Sequence, residues 1–130
     1  MVSRQAIHAE GAPPALGPYS HAIVAGGLVF TSGQLGLDPL SSELVGPDIK
    51  IQTRQVLDNL KCILEAGGSS LEQVVRVRVY LTDLNDFAGM NEVVESYFPH
   101  QPPARACVGV ASLPKGALVE MDAIGVVSGE

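Results

Sequence analysis

Residues 74–81 read VVRVRVYL, and this alternation decides the fold. Successive side chains of a strand leave on opposite faces, so Val75, Val77, Val79 and Leu81 share one face and Arg76 and Arg78 the other. A strand of this kind needs a second layer on its apolar side. The segment before it changes period: from about Asp48 to Ala66, residues Val56, Leu57, Leu60, Ile63 and Leu64 recur at helical spacing. Gly67-Gly68 supplies the stop, and Ser70 with Gln73 resembles a capping box opening a single turn. After the strand, a second helix is expected from near Asp86 to Phe98, ended by Pro99. Phe87, Met90, Val94, Tyr97 and Phe98 form its apolar stripe. Asn91 falls inside that stripe. A buried amide needs partners, so Asn91 either ties down a neighbouring backbone or belongs to a site.

The remaining segments read as strands and turns. HAIVAGGLVFTSG (21–33) gives two short strands about a Gly26-Gly27 turn, and LGLDPLSSELVGPD (35–48) a loop with a small excursion. RACVGVA (105–111) and ALVEMDAIGVV (117–127) are strands joined by SLPKG (112–116). The resulting order, β-β-α-β-α-β-β, predicts an α/β or α+β sandwich with two helices on one face of a mixed sheet. The strands are apolar on both faces, as doubly covered strands are. Two helices leave one face without intramolecular cover, so association with other subunits is expected.

Composition narrows the class. The 130 residues fit one domain (1–130), and 46% hydrophobic with 17% charged residues is the balance of a folded chain. No apolar run reaches membrane-spanning length, and the N-terminus lacks a signal-peptide core. The expectation is a soluble cytoplasmic protein, with an organelle left open if the short N-terminal stretch is a clipped transit segment. The formal net charge is −6 and the basic residues are scattered, which is poor equipment for nucleic acid. Arg76 and Arg78 read as a solvated or interface-facing edge. Cys62 and Cys107 lie far apart, and His8, His21 and His100 are isolated. No ligand spacing points to a metal, no disulfide is expected, and each His reads as surface or turn furniture.

Two charges sit where burial is asked for. Arg105 and Cys107 share one face of their strand, and Leu118, Glu120, Asp122 and Ile124 share one face of the last. An unpaired buried charge costs several kcal/mol. Arg105 and Glu120 must therefore form a structural ion pair or face a wet cleft. Gly17, Pro18 and Tyr19 precede the first strand, and Gly33, after Ser32, permits close backbone approach at a strand end.

GPYSHA (17–22), FTSGQLG (30–36), VYLTDLNDFAGMNEVVESYF (79–98) and PPARACVGVASLPKGALVEMDAIGV (102–126) resemble the motifs of the RidA/YjgF (reactive intermediate deaminase) family. The resemblance runs from about Ala6 to Val127. The last block is the most specific, joining an Arg, a Cys two residues on, an LPKGA turn and a Glu. His21, where many members have Gln, and the LSSELVG loop depart from common versions. The resemblance implies a chorismate-mutase-like α+β subunit that forms homotrimers through its sheet, with the site at the subunit interface. It implies hydrolysis of 2-imino or enamine acids (2-iminobutanoate, 2-iminopropanoate) to 2-oxo acids and ammonia, with no cofactor. By position it assigns Arg105 as carboxylate binder, Glu120 as the acidic residue and Tyr19 as the cleft tyrosine, with Ser32, Gly33, Asn91 and Cys107 lining the substrate. Cys107 has no His placed beside it by sequence and reads as a site wall. A ligand-binding regulatory trimer and a ribonuclease or translation inhibitor are the competing readings.

Overall fold

Val77, Val79 and Leu81 point together into the core of the computed structural model, which describes residues 3–128. Their strand is an interior strand of one mixed sheet, second from its edge. In chain order the strands are β1 (Gln5–Ile7), β2 (Ala22–Ala25), β3 (Leu28–Thr31), β4 (Gln34–Leu35), β5 (Val74–Leu81), β6 (Ala104–Gly109) and β7 (Val119–Val126). The helices are α1 (Ile49–Ala66) and α2 (Phe87–Tyr97). The sheet order is β1-β2-β3-β7-β5-β6, with β4 also pairing β7. Every pairing is antiparallel except β5 with β6, the two strands that α2 connects. Both helices cover one face, giving the expected α+β architecture.

Local chemistry explains the elements. Gly26 and Gly27 take φ of 60° and 80°, the positive values a two-residue hairpin between β2 and β3 demands. The Asp48 carboxylate caps α1 by accepting the Ile51 N–H at 3.1 Å. At its end, Gly68 adopts φ 88° and the Ser69 N–H closes back on the Leu64 carbonyl. Val56, Leu57, Leu60, Ile63 and Leu64 are buried along α1, each worth roughly 1.5–3 kcal/mol by area removed from water. Tyr97 ties α2 to α1 by donating to Asp58 Oδ1 at 2.8 Å. Burial and that acceptor push its phenol up to about 12.

Several expectations are corrected. Val75 is 45% exposed because β5 carries a bulge: Val74 faces Gly125 and Arg76 faces Ile124, so Val75 is the extra residue. Ser70 does begin a single turn, but its side chain makes no cap; the turn closes by the Gln73 N–H on the Ser70 carbonyl. The buried line of α2 is Met90 and Val93, while Phe87 is 40% exposed. Arg76 and Arg78 lie on an interior strand, not an edge. Arg78 makes a two-pronged pair with Asp122 across to β7, at 2.9 and 3.1 Å. The uncovered face is therefore mixed, with Phe30, Ile124, Val126 and Val108 around that ion pair. His21 is buried instead of superficial: its Nδ1 accepts the Ala9 N–H and its Nε2 donates to the Pro13 carbonyl, both at 2.8 Å. Strands β1 and β4 are too short to show alternation and were not legible.

Candidate functional site

Hairpin β2–β3 and strand β7 bring one group of the expected residues together. Tyr19, Ser32, Gly33 and Glu120 line a cavity of about 660 Å³, whose farther wall is apolar, with Leu16, Leu35 and Leu37. The His21 bonds to Ala9 and Pro13 hold the N-terminal segment over it. The Tyr19 hydroxyl accepts the Leu16 N–H at 3.0 Å, which orients the ring at the rim. Ser32 is locked from both sides: its Oγ donates to the Ser20 carbonyl at 2.6 Å and its N–H to the His21 carbonyl at 2.8 Å.

Glu120 lies opposite Leu35 of β4 and Tyr80 of β5, on the sheet face the helices leave open. Its carboxylate rests on Gly33. A Cβ at position 33 would fall on Glu120 Oε2 and lie 2.8 Å from its Cδ, so only glycine leaves this carboxylate its place. Burial, and secondarily Asp122 two residues on, pushes the Glu120 carboxyl above the ordinary carboxylate range. A carboxylate held in that way accepts a proton more readily than a free one.

The second group lies on the other face. Arg105 is level with Val77, and Cys107 with Val79, in the parallel pairing of β6 with β5. Both side chains therefore point to the helix side, where α2 meets them. Arg105 Nη1 donates to Asn91 Oδ1 at 2.5 Å, and its guanidinium sits 5.4 Å from the centre of the Phe87 ring. Asn91 thus holds a side chain and not a backbone. A cavity of about 550 Å³ opens beside Asn91, Phe98, Pro103 and Arg105. The Cys107 thiol is pushed up by burial, against a smaller lowering by Arg105, which disfavours the thiolate a nucleophile needs.

Arg105 and Glu120 consequently do not form the structural ion pair that was one reading of their placement. Among the described residues the ion pairs are Lys50–Glu92 and Arg78–Asp122. Within one chain, an Arg–Asn–Cys group and a Tyr–Ser–Gly–Glu group stand on opposite faces of the same sheet. Two contributing residues were missed. Gln52 and Asn59 of α1, each 1% exposed, bind the backbone around β4 and β7. The signal was present, since both fall among Val56, Leu60 and Ile63 on the apolar stripe. Among the described residues no group of His, Cys, Asp and Glu is arranged to hold a metal ion, and no helix is long and apolar enough to cross a membrane.

Comparison with known proteins gives this geometry its family. The family model described as Endoribonuclease L-PSP matches residues 9–127. A RutC family protein of Pyrococcus horikoshii is 54% identical over 121 residues, covering 93% of this chain and 96% of that one. The 2-iminobutanoate/2-iminopropanoate deaminase of Capra hircus is 44% identical over 123 residues, covering 95% and 90%. Among solved structures, the yeast protein YEO7 superposes with a TM-score of 0.94 at 42% identity, covering 97% of this chain and 100% of that one. RidA from an Antarctic Psychrobacter gives 0.91 at 48% identity, covering 95% and 99%. Matched along nearly its whole length in sequence and in fold, the chain belongs to the RidA/YjgF family, the family of the Endoribonuclease L-PSP model.

Proposed function

We propose that this chain hydrolyses small 2-imino acids, 2-iminobutanoate and 2-iminopropanoate among them, to 2-oxo acids and ammonia. The site forms between subunits of a homotrimer and uses no cofactor. The observation that carries this reading is the split itself. One sheet face carries a guanidinium with no carboxylate partner among the described residues, and the other a carboxylate with a raised pKa. Each group borders an open cavity. A second copy whose Arg105 reaches the first copy's Glu120 joins an anion holder to a base.

Arg105, oriented by Asn91 and Phe87, binds the substrate carboxylate through its planar fork, with the Gly33 N–H as a further donor. The substrate enters as the protonated imine; Glu120 takes a proton from water as the water oxygen bonds to C2 and the C=N electron pair moves to nitrogen, giving a neutral carbinolamine. Glu120 then gives that proton to the nitrogen and takes the C2 hydroxyl proton as the C–N bond breaks, so that ammonia leaves, the C2 oxygen becomes a carbonyl, and Glu120 releases its proton to solvent. Tyr19 and Ser32 line the substrate, and Cys107 is a wall. No covalent enzyme intermediate is needed, because imines hydrolyse readily once water is oriented.

The test adds purified protein to a threonine dehydratase reaction and follows ammonia and 2-oxobutanoate. Faster release is expected, and it should be strongly reduced in Arg105→Lys, which keeps the charge but loses the fork. No acceleration by the wild-type chain overturns the reading. The family model's description favours RNA cleavage as a second reading. The net charge of −6 with scattered basic residues opposes it. RNA cleavage by the purified wild-type chain that persists in Glu120→Gln would revive it.

A further inference from the structure

We infer that Gln52, buried in α1 outside the cavity, is a positioning residue that sets Glu120 against Gly33. The kinetic part of its test rests on the imine-hydrolysis reading; the geometry does not. An amide on the buried face of a helix must have its polar atoms satisfied. Gln52 uses both ends: Oε1 accepts the Leu118 N–H at 2.9 Å, and Nε2 donates to the Gly46 carbonyl at 2.7 Å. Leu118 immediately precedes β7 and is two residues before Glu120. Gly46 ends the segment that begins at β4. One side chain thus joins the base-bearing strand to the wall of the cavity.

The far end of that segment is fixed from the same helix. Asn59 Nδ2 donates to the Leu35 and Leu37 carbonyls at 3.2 and 3.1 Å, while its Oδ1 accepts from Gln55 at 2.8 Å. Between them, Gly36 rests on the Gln52 backbone, where a Cβ would lie 2.8 Å from the Gln52 carbonyl oxygen. The Val45 N–H closes the segment on the Gly36 carbonyl at 3.0 Å. Since Leu35 faces Glu120 and Gln34 faces Met121, the height of β4 against β7 decides where Gly33 meets the carboxylate. That height is set by α1. Releasing it lets β4 move off β7 and water reach Glu120. The titratable groups facing Glu120 are Asp122 on β7, Tyr80 on β5 and Tyr19 at the rim; β4 contributes none. Hydration is then the change that moves its protonation.

The test compares wild type with Gln52→Met, which keeps the stem and shape but makes neither bond. Carbon-13 NMR follows the Glu120 carboxyl through a pH titration, alongside kcat and KM for imine hydrolysis. In folded Gln52→Met the Glu120 midpoint should fall toward 4.5, its ordinary value. The expected kinetic result is a kcat about tenfold lower with KM changed less than about twofold, because the carboxylate holder Arg105 is untouched. A folded variant with the wild-type Glu120 titration overturns the inference, as does unchanged kcat. Where Gln52→Met does not fold, hydrogen exchange in the wild-type protein decides. Protection of the Leu118 N–H equal to that inside β7 supports the clamp, and free exchange there overturns it. If the wild-type chain hydrolyses no imine, the proposed activity falls, while the Glu120 titration still judges the positioning role.

Discussion

Glu120 shows how one side chain links stability to chemistry. Its carboxyl is raised first by burial and then by Asp122, so the folded protein holds a proton that the unfolded chain has already released. Stability contributed by this group is therefore present at low pH and is lost as pH rises from 4.5 through the raised folded value. Once ionised, the group is a liability to the fold, a cost that its proposed role in hydrolysis would account for. Glu120→Gln keeps shape and hydrogen bonding while removing the charge. It should melt higher than wild type at pH 7, with the difference vanishing as pH falls below 4.5. The same substitution removes the proton acceptor and should slow hydrolysis by about 10²–10⁴, toward the low end because imines are labile. Melting curves from pH 3 to 8 decide the first part; a pH-independent difference would show that Glu120 pays no desolvation cost. Gly33 belongs to the same account, since any side chain there displaces the carboxylate.

The elements show which signals a sequence carries. Long periodic runs were legible: α1, expected from about Asp48 to Ala66, spans Ile49–Ala66, and the hairpin turns at Gly26-Gly27. What depends on pairing was not. The β5 bulge that exposes Val75 exists only relative to β7, and β4 is defined only by its partner. The candidate site divides in the same way. The residue types at Arg105 and Glu120 could be read along their strands. That they leave opposite faces follows from Arg105 standing level with Val77, and Glu120 with Tyr80. The phase of α2 also misled: Phe87 belongs with Arg105 and not with the core. Tyr97 instead joins the helices, and its role can be measured. Its phenol is pushed up to about 12, so the stability it lends is full below its ordinary 10 and is lost as pH rises through that range. Tyr97→Phe should cost about 0.5–1.5 kcal/mol at pH 7, the worth of one hydrogen bond. Urea midpoints at pH 7 and in strong alkali check this; a cost that persists unchanged at high pH would mean packing, not the Asp58 bond, is what was lost.

For the whole molecule, the open face and the divided site pose one problem. Phe30, Val108 and Val126 are exposed beside the Arg78–Asp122 pair on the face without helices. Fixed charges paired among apolar side chains suit a specific contact, because a misaligned partner would strand them. The residues assigned to the anion holder and the base are kept apart by the sheet they share. Both difficulties end if copies of the chain close around this face, each lending Arg105 to a neighbour's Glu120. Light scattering should then give a trimer. A stronger test uses two variants that are each strongly impaired, Arg105→Ala and Glu120→Gln. Every site of either homotrimer lacks one of the two groups. Unfolded together and refolded as a mixture, they should regain activity, because a site that takes its Arg from the Glu120→Gln chain and its Glu from the Arg105→Ala chain is whole. Random mixing makes about one site in four complete, and the recovered rate should approach that fraction of wild type. Simple mixing of folded trimers without exchange should recover nothing, which separates subunit assembly from contamination. Refolded mixed trimers that stay as impaired as either variant, while wild type refolded in the same way is active, would place Arg105 and Glu120 in separate roles.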